Sequence, residues 1–279
     1  MDLTKIQLFA DDALIEETYR LGRTVHRPEK YSEPIIVPDR PWEGLGLFLW
    51  GTALYDRDED LFKMWYQTLS PLAPPTDKRF VCYAVSRDGF HWEKPSLGQV
   101  WFDGSRDNNI VVDPGDSLDS PSVVLDPDDA DESRRYKMIY RAATAGTVGL
   151  YAAFSPDGIR WEKVVEPVAP GHGDRTNAFF TRDMDGKFVV LTRKPHMMAD
   201  FNTRCVYRIE SDDFIHWSPA ELVMKPDLAD GPNMQFYSMT GFVYGDQYLG
   251  ALERMHTVPD VLDQELTVSR DGRHWQRVD

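Results

Sequence analysis

Short apolar runs alternate along this chain with turns rich in Asp and Gly, and one version of this pattern returns four times. Each return ends an apolar run with a Ser, turns the chain at Asp-Gly or a close variant, and places a Trp shortly afterwards. The four copies are SRDGFHW (86–92), SPDGIRW (155–161), SDDFIHW (211–217) and SRDGRHW (269–275). An apolar run, an Asp-Gly turn and a second run together predict a β-hairpin.

The residue types in this phrase predict specific contacts in the turn. The Asp is expected to accept hydrogen bonds from turn amides, and the Gly to supply a positive φ. The Trp is expected to pack back over its hairpin. Phe214 stands where the other copies have Gly, so the third turn is predicted to differ from the others.

A second strand pair precedes each phrase, as in TALYDRDEDLFKMWYQT and SMTGFVYGDQYLGALERM. Two hairpins per repeat give four antiparallel strands, which is one blade of a β-propeller. Helical periodicity is nearly absent, with only 12–21 as a modest candidate. We therefore predict an all-β chain forming a single propeller domain over 1–279. Its approximate parts are an N-terminal segment at 1–43 and blades at 44–95, 117–164, 174–223 and 233–279.

The exposed edge of a blade has to be covered or paired, and two arrangements satisfy that requirement here. Residues 1–43 can help to close a ring of four blades, or the chain can stop before a fifth blade. The second arrangement is favoured because the chain ends at WQRVD with no further strand after the last Trp.

The composition and net charge of the chain exclude some classes of function. The formal charge of −15 and the pI of about 4.9 argue against nucleic-acid binding, which requires clustered Lys and Arg. Cys82 and Cys205 lie in apolar runs and are expected to be buried free thiols. The first residues lack the pattern of a secretory leader, and no run has the length of a membrane span. We expect a cytoplasmic protein without a membrane partner, and the sequence leaves the oligomeric state open.

Beyond the hairpins, several segments resemble one known group of proteins. These segments are QLFADDALIE, RPWEG (40–44), LGQVWFDGSRDNNIV (97–111) and FYSMTGFVY (236–244). Together with the four phrases, they are similar to the five-bladed β-propeller glycosidases of glycoside hydrolase families 43 and 32, and especially to bacterial relatives of those families. The resemblance extends over almost the whole chain.

The resemblance implies a funnel on the propeller axis, where the innermost strands supply acids to a sugar site. Family members use a base or nucleophile, a proton donor and a third acid that orients the donor. The expected activity is therefore hydrolysis of a glycosidic bond in an oligosaccharide or glycoside. A noncatalytic saccharide-binding or scaffold propeller is the alternative, because the fifth blade is missing from the pattern.

The chain has 46 Asp and Glu residues, and their positions along the strands decide which of them are catalytic candidates. Acids in hairpin turns are set aside, because they shape the turn. Asp119 begins an apolar strand, where sequences of the resembled family carry an acid, so the resemblance implies a base or tuning acid; a turn-capping role is equally weighted. Asp174 begins the third blade, where the resembled family also tends to place an acid, so the resemblance implies a proton donor or nucleophile; an ordinary loop is the alternative. Asp116, in the same segment as Asp119, also passes this selection.

Two glutamates complete the catalytic candidates. Glu253 lies among apolar residues, where a carboxylate is costly to bury unless it is protonated or paired. It is a candidate donor, or else a structural partner of Arg254 or Arg193. Glu43 follows Trp42 and can combine an acid with a stacking ring, with a surface loop as the alternative.

The candidate substrate-binding residues are aromatic rings that can stack on sugars and polar groups that can bind hydroxyls or a carboxylate. They are Trp42, Trp50, Arg141, Asn177, Arg193, Tyr237 and Arg254. His172, His196 and His256 lack the spacing of metal ligands. No cofactor is expected; a structural calcium ion is compatible with a propeller, but no residue pattern supports it.

Overall fold

The computed structural model describes residues 4–44, 46–69, 79–113, 118–144, 146–182, 184–198 and 201–278. Within those ranges, two short 3-10 helices lie at Pro41–Glu43 and Glu132–Arg134, and all other regular elements are strands. The first sheet contains β1 (Leu47–Asp56), β2 (Leu61–Leu69), β3 (Arg79–Ser86) and β4 (Ile110–Val112). The second contains β5 (Asp119–Leu125), β6 (Tyr136–Thr144), β7 (Thr147–Ser155), β8 (Glu162–Lys163) and β9 (Ala169–Pro170). The third contains β10 (Asn177–Phe180), β11 (Phe188–Met198), β12 (Phe201–Ser211) and β13 (Glu221–Met224). The fourth contains β14 (Met234–Tyr244), β15 (Gln247–His256), β16 (Val261–Ser269) and β17 (Trp275–Arg277).

The strands of each sheet are antiparallel and follow one another in chain order, with β9 as an extra strand beside β7. The prediction of all-β, four-stranded propeller blades is therefore confirmed. Four blades are present in the described part of the chain, so the five-bladed expectation is not supported there.

The fourth strand of a blade does not always follow its Trp directly, as the hairpin pattern predicted. After Trp92 only Glu93 makes a bridge, to Val85, and the fourth strand begins at Ile110. Asn109 fixes this later position, since its amide nitrogen donates to the Tyr83 carbonyl at 2.7 Å and its backbone carbonyl accepts from the Tyr83 amide. The intervening LGQVWFDGSRDN segment is thereby excluded from the sheet.

The chain divides into two compact units, each with its own apolar core. Unit 2 comprises Tyr31–Ala178 and Phe214–His216, and its core is centred on fully buried Trp65 and Tyr136. Unit 1 comprises Met1–Lys30, Phe179–Asp213 and Trp217–Asp279, with a core that includes Phe236. The prediction of a single domain stays a prediction. Both cysteines are buried and free, as expected.

The N-terminal segment of unit 1 is anchored to the fourth blade by side chains. Arg270 Nε and Nη2 donate to the two oxygens of Asp11 at 2.7 and 2.9 Å, and Gln247 adds a bond at 3.0 Å. The hydrogen bond from Arg270 lowers the pKa of Asp11. The described part of the N-terminal segment adds no strand to this sheet. It therefore braces the last blade without extending it.

The recurrent phrase forms the predicted turn. In the first copy, Ser86 Oγ accepts from the Gly89 amide at 2.9 Å, and Asp88 Oδ1 accepts from two following amides at 2.8 Å. Trp92 Nε1 donates to the Gly89 carbonyl at 3.0 Å, which closes the ring back over the hairpin. The hydrogen bonds from the His91 side chain and from the turn amides hold the pKa of Asp88 far below its ordinary value.

The predicted difference at the third turn is wrong. Phe214 has a φ of 65°, close to the 76° of Gly89 and the 75° of Gly158. Phe214 is completely buried, and its ring packs 6.1 Å from that of Phe154. Burying an aromatic side chain is worth more than the roughly 1–2 kcal/mol that the left-handed conformation costs. The burial of the Phe214 ring therefore stabilises, in this turn, the conformation that glycine adopts in the other turns.

Unit 2 also buries an ion pair. Lys63 Nζ lies 3.0 Å from Asp56 Oδ2 and 2.7 Å from the Tyr136 hydroxyl, and Tyr136 also donates to Asp56. Burial alone would raise the pKa of Asp56, but the hydrogen bonds from Tyr136 and Lys63 outweigh it and lower the pKa to about 2. The site therefore stabilises the folded state only while Asp56 is ionised.

The turn at Gly158 yields a matched pair of substitutions. Gly158→Ala would place a Cβ 2.5 Å from Trp65 Cζ2 at a φ of +75°, whereas Gly104→Ala, at +79°, meets no atom within 4 Å. In both variants the left-handed backbone should lower the free energy of unfolding by about 1–2 kcal/mol. Gly158→Ala should lose a further ~1–3 kcal/mol of stability, because its Cβ overpacks against Trp65. Urea unfolding of the two variants should show this difference, and equal losses would contradict the packing argument.

Lowering the pH should remove the contribution of Asp56 to the free energy of unfolding. Because its folded pKa of about 2 lies below the ordinary value of 3.8, the stabilisation is present above pH 3.8 and is lost as the pH falls towards 2. Free energies of unfolding measured between pH 5 and pH 2 should fall by roughly 2 kcal/mol from this group. Asp56→Asn should lack that loss and should cost about 1–3 kcal/mol at pH 7, because the buried Lys63 loses one of its two carboxylate partners and keeps Glu59 at 2.7 Å. The solvent-exposed Asp107→Asn is the control; the same pH profile in Asp56→Asn as in the unmodified protein would refute the assignment.

Candidate functional site

Asp119 begins β5, at the strand position predicted from the sequence, and its side chain is 14% exposed. Its Oδ2 lies 2.7 Å from Arg79 Nη1, and its Oδ1 accepts from Ser120 Oγ at 3.1 Å. Arg141 on β6 is the direct cross-strand partner of Asp119. Directly opposite residues project from the same face of a sheet, so Arg141 lies on the same face as Asp119.

The backbone beside Asp119 is held in an uncommon conformation. Ser120 has a φ of 50°, although it has a side chain and precedes Pro121. Gln67, which is fully buried, holds this backbone from both sides. Its Oε1 accepts from the Ser120 amide at 3.0 Å, and its Nε2 donates to the Leu118 carbonyl at 3.2 Å. Strain of this kind persists where the surroundings over-determine it, and such places are often functional.

The segment before β10 adds further contacts to Ser120. The Arg175 amide donates to Ser120 Oγ at 3.1 Å, and Thr176 Oγ1 donates to the Ser120 carbonyl at 2.6 Å. These bonds place Arg175 beside the start of β5. Its guanidinium carbon lies 4.0 Å from the centroid of the Trp50 ring, and that of Arg79 lies 5.6 Å from the same centroid. Both distances are within the range of cation–π attraction.

Hydroxyl groups link the strands that carry these residues. Ser122 Oγ on β5 accepts from the Ala178 amide at 2.8 Å and lies 3.4 Å from Thr52 Oγ1 on β1. Thr52 Oγ1 in turn accepts from the Val123 amide at 2.9 Å. These bonds join strands of successive blades within unit 2. They hold together a group that we call the Trp50 cluster: Trp50, Arg79, Asp119, Arg141 and Arg175.

Asp174 and Asn177 flank this cluster in sequence. Asp174 immediately precedes Arg175 in the loop before β10, and Asn177 is the first residue of that strand. Both are half-buried. Their candidate roles stay predictions. Asp116 lies outside the described residues.

Glu43 and Trp42 have contacts of a different kind. Glu43 is fully buried, and its carboxylate receives Lys94 Nζ at 2.6 Å, the Tyr66 hydroxyl at 2.7 Å and the Asp39 amide at 2.8 Å. The Trp42 indole donates to Asn109 Oδ1 at 2.7 Å, and its ring packs against the apolar cluster of the first sheet. Neither residue is a surface loop residue, and the contacts of both hold the 3-10 helix against the first blade.

Unit 1 contains the remaining candidates. Glu253 Oε2 accepts from Ser238 Oγ at 2.7 Å, its neighbour across β14 and β15. Arg254 does not pair with Glu253, because its Nε donates to Asp263 at 2.7 Å and its Nη1 contacts Glu265 at 3.3 Å. The alternative of an Arg254–Glu253 ion pair is therefore wrong.

Tyr237 in unit 1 has two guanidinium neighbours. The guanidinium carbon of Arg193 lies 4.4 Å from the Tyr237 ring centroid, and that of Arg204 lies 5.3 Å away. Tyr237 lies at an irregularity of β14, where the register shifts between Phe236 and Ser238. Such bulges redirect side chains, which explains how this ring meets both arginines.

Sequence reasoning missed Arg79, Arg175, Arg204 and Gln67. No local pattern marks these residues, because each acquires its position through a contact with a distant part of the chain. The only available signal was the uncommon Asp-Ser-Pro sequence at Asp119, which indicates an irregular backbone that needs support.

In the described ranges, no group of three or more His, Cys, Asp or Glu residues is arranged to hold a metal ion. None of the helices in the described part of the chain has the length and apolar character that crossing a membrane requires.

The fold is similar to that of several glycoside hydrolases. One solved glycoside hydrolase has a TM-score of 0.60 and 13% identity over 87% of this chain and 75% of its own. The β-fructofuranosidase from Schwanniomyces occidentalis complexed with fructosyl-erythritol has a TM-score of 0.61 and 15% identity over 88% of this chain and 47% of its own. A thermostable family-43 glycoside hydrolase has a TM-score of 0.59 and 13% identity over 81% and 70%.

This chain therefore spans about half of the fructofuranosidase, and likeness at these identities shows the fold alone. No protein-family model matches the chain, and no curated protein matches it.

Gln67→Leu tests whether Gln67 holds the backbone at Asp119. The substitution keeps the volume but leaves the Ser120 amide and the Leu118 carbonyl unpaired, at about 1–3 kcal/mol for each buried group. Gln99→Leu is the matched control, since Gln99 also donates to a backbone carbonyl, at 2.8 Å, but is exposed. Chemical denaturation should show a large loss only for Gln67→Leu, and equal small losses would contradict the proposed clamp.

Proposed function

We propose that this chain is a carbohydrate-active enzyme that hydrolyses a glycosidic bond with paired carboxylates. The observation that carries the proposal is the Trp50 cluster, in which a largely buried aspartate on supported, irregular backbone is paired to Arg79, whose guanidinium also lies near the Trp50 ring. Aromatic side chains commonly line sugar sites, and a fixed carboxylate can act at the sugar bond. The similarity of the fold to glycoside hydrolases supports the same chemistry.

Asp119 is proposed as the base or nucleophile. Glycoside hydrolysis needs one carboxylate that works as an anion and one carboxylic acid that protonates the leaving oxygen. The ionic contact with Arg79, at 2.7 Å, suits the first of these roles. Ser120 Oγ fixes the other carboxylate oxygen, which leaves the orientation of Asp119 well defined.

Asp174 is proposed as the proton donor within unit 2. It precedes Arg175, whose backbone amide binds Ser120, so the loop that carries Asp174 is tied to the loop that carries Asp119. Trp50, Arg141 and Asn177 are proposed to bind the sugar. In unit 1, Glu253 is retained as a separate candidate acid, with Arg193, Tyr237 and Arg254 as candidate binding residues.

Glu43 is proposed to have a positioning role rather than a catalytic one. Both of its carboxylate oxygens already accept hydrogen bonds from Lys94, Tyr66 or backbone amides. Trp42 is likewise proposed to support the 3-10 helix, since its ring is packed and its indole nitrogen is bonded.

A noncatalytic saccharide-binding propeller is the second candidate. The observation that favours it is that Asp119 is already ion-paired to Arg79, which lowers its availability to a reacting sugar. The two functions differ in turnover. A binding protein should retain a saccharide saturably and release it uncleaved at any enzyme concentration.

The test is a screen of aryl glycosides and oligosaccharides, followed by substitutions on whichever compound is cleaved. Asp119→Asn and Asp174→Asn should each lower kcat at least about a hundredfold, because each removes one half of the acid–base pair. Glu253→Gln is examined alongside them, and Asp107→Asn, an exposed loop acid, should leave kcat unchanged. Unaltered turnover in both Asp119→Asn and Asp174→Asn would refute the assignment. A crystal structure of a saccharide complex should place the two carboxyls about 5–10 Å apart.

A further inference from the structure

The outer edge of the fourth blade is open at a position that the other blades cover. In each of the first three blades, the residue five positions before the serine of the recurrent phrase pairs with an outer strand: Val81 with Val112, Leu150 with Ala169 and Val206 with Met224. The corresponding residue of β16 is Gln264, which is exposed. β17 pairs only with residues 267–269, and within the described ranges no strand lies beside residues 261–265 on that edge. The outward backbone groups of this edge can therefore pair with an added strand.

Apolar side chains are exposed along the open edge. Val261 and Leu262 are about half exposed, and Val258, in the turn before them, is more exposed still. An uncovered edge strand of this kind is a template for strand addition. Asp263 is already ion-paired, whereas Asp260 is exposed beside Val261. The edge therefore suits an extended segment that is both apolar and basic.

Residues 16–35 have the complementary properties. All twenty are exposed, they form no strand or helix, and they make no backbone hydrogen bond to another described residue. Tyr19 and Leu21 are 76% and 77% exposed. In YRLGRTV (19–25), Tyr19, Leu21 and Val25 fall on one face of an extended chain, as in a strand. The pattern of a strand is therefore present here without the pairing that a strand requires.

The charge of this segment differs from that of the molecule. Residues 19–31 contain four Lys or Arg residues and one acid, whereas the whole chain has a formal charge of −15. A basic segment on an acidic protein is attracted to the surface of another copy of the same protein. The segment and the edge therefore complement each other in charge, in apolar character and in backbone pairing.

The contacts of Arg23 keep this segment away from the edge of its own copy. Arg23 Nε donates to the Phe9 carbonyl at 2.7 Å. Two residues further on, Asp11 is bonded to Arg270, which directly follows the last residue of β16. At about 3.3 Å per residue, Gln264 lies roughly 20 Å from Arg270 along the strand. The segment is thus held near one end of β16, and the open edge lies towards the other.

We propose that residues 19–25 of one copy add a strand to β16 of a second copy, beside residues 261–265. A two-fold axis allows each copy to give one segment and to receive one, so two such contacts hold the dimer together. Because Gln264 and Asp260 are polar, the unoccupied edge stays soluble and the association is reversible. This inference concerns an assembly surface and does not depend on the proposed function.

Sedimentation equilibrium of the unmodified chain at several concentrations is the first test. We expect a reversible monomer–dimer equilibrium that weakens at high salt, because salt screens the basic segment from the acidic partner. Hydrogen exchange should slow at residues 19–25 and 261–265 together as the dimer forms. A monomer at every concentration overturns the inference. Protection of both segments in the monomer also overturns it, since the segment would then be bound to its own edge.

Complementation between two variants is the second test. Leu21→Asp places a charge in the segment and Leu262→Asp places one at the edge, so each should weaken self-association about tenfold or more. A mixture of the two should associate more strongly than either variant alone, because one variant retains an intact segment and the other an intact edge. Val165→Asp is the matched control, since Val165 is 80% exposed outside the fourth blade, and this variant should dimerise normally. A mixture that associates no better than its components overturns the exchange.

The segment variant keeps the inference falsifiable if Leu262→Asp fails to fold, as judged by its melting temperature. Because Leu21 is exposed, Leu21→Asp leaves the fold of the monomer intact. Dimerisation that is unchanged in Leu21→Asp would overturn the inference, and its loss would support it. Val261→Asp then replaces the edge variant in the mixture, since Val261 lies on the same open edge.

Discussion

One buried serine hydroxyl at a hairpin turn is the constraint on which each blade depends. Ser86, Ser155, Ser211 and Ser269 are almost completely buried, and each hydroxyl accepts from an amide of the turn that follows. Without the serine and its aspartate partner, these amides would be buried or half-buried with no acceptor, which costs more than an ordinary hydrogen bond provides. The phrase therefore ends one strand and aims the next, and its repetition sets the number of blades.

Hydrogen bonds from side chains to backbone groups also hold the candidate site of unit 2 in place. Among the described residues, strands of successive blades share no ladder of backbone hydrogen bonds. Single side chains make connections instead, namely Thr52, Ser122, Thr176 and Gln67. Each satisfies a backbone group that a regular sheet would have paired. The irregular backbone at Ser120 is stable because several such contacts converge on it, and the position of Asp119 follows from it.

The regular parts of this fold could be predicted from sequence because their signals are local. Apolar runs, Asp-Gly turns and repeated tryptophans specify hairpins over a few residues, and the all-β blades follow from their number. The errors arose where distant contacts override local preference. Phe214 takes a glycine conformation because its ring is buried, and the fourth strand of the first blade begins at Ile110 because Asn109 is bonded to Tyr83. The acid at Asp119 could be found from its strand position, whereas Arg79 and Arg175 approach it from 40 or more residues away in sequence.

The ion pair between Asp11 and Arg270 has a consequence for the order in which the chain folds. The two residues are 259 positions apart, so unit 1 cannot form this pair until Arg270 has left the ribosome. Unit 2 is drawn almost entirely from one continuous stretch, Tyr31–Ala178, and can fold earlier. Domains usually fold from the N-terminus onward during synthesis. Here unit 2 can fold before unit 1, because Asp11 cannot pair until Arg270, 259 residues further along the chain, has been synthesised.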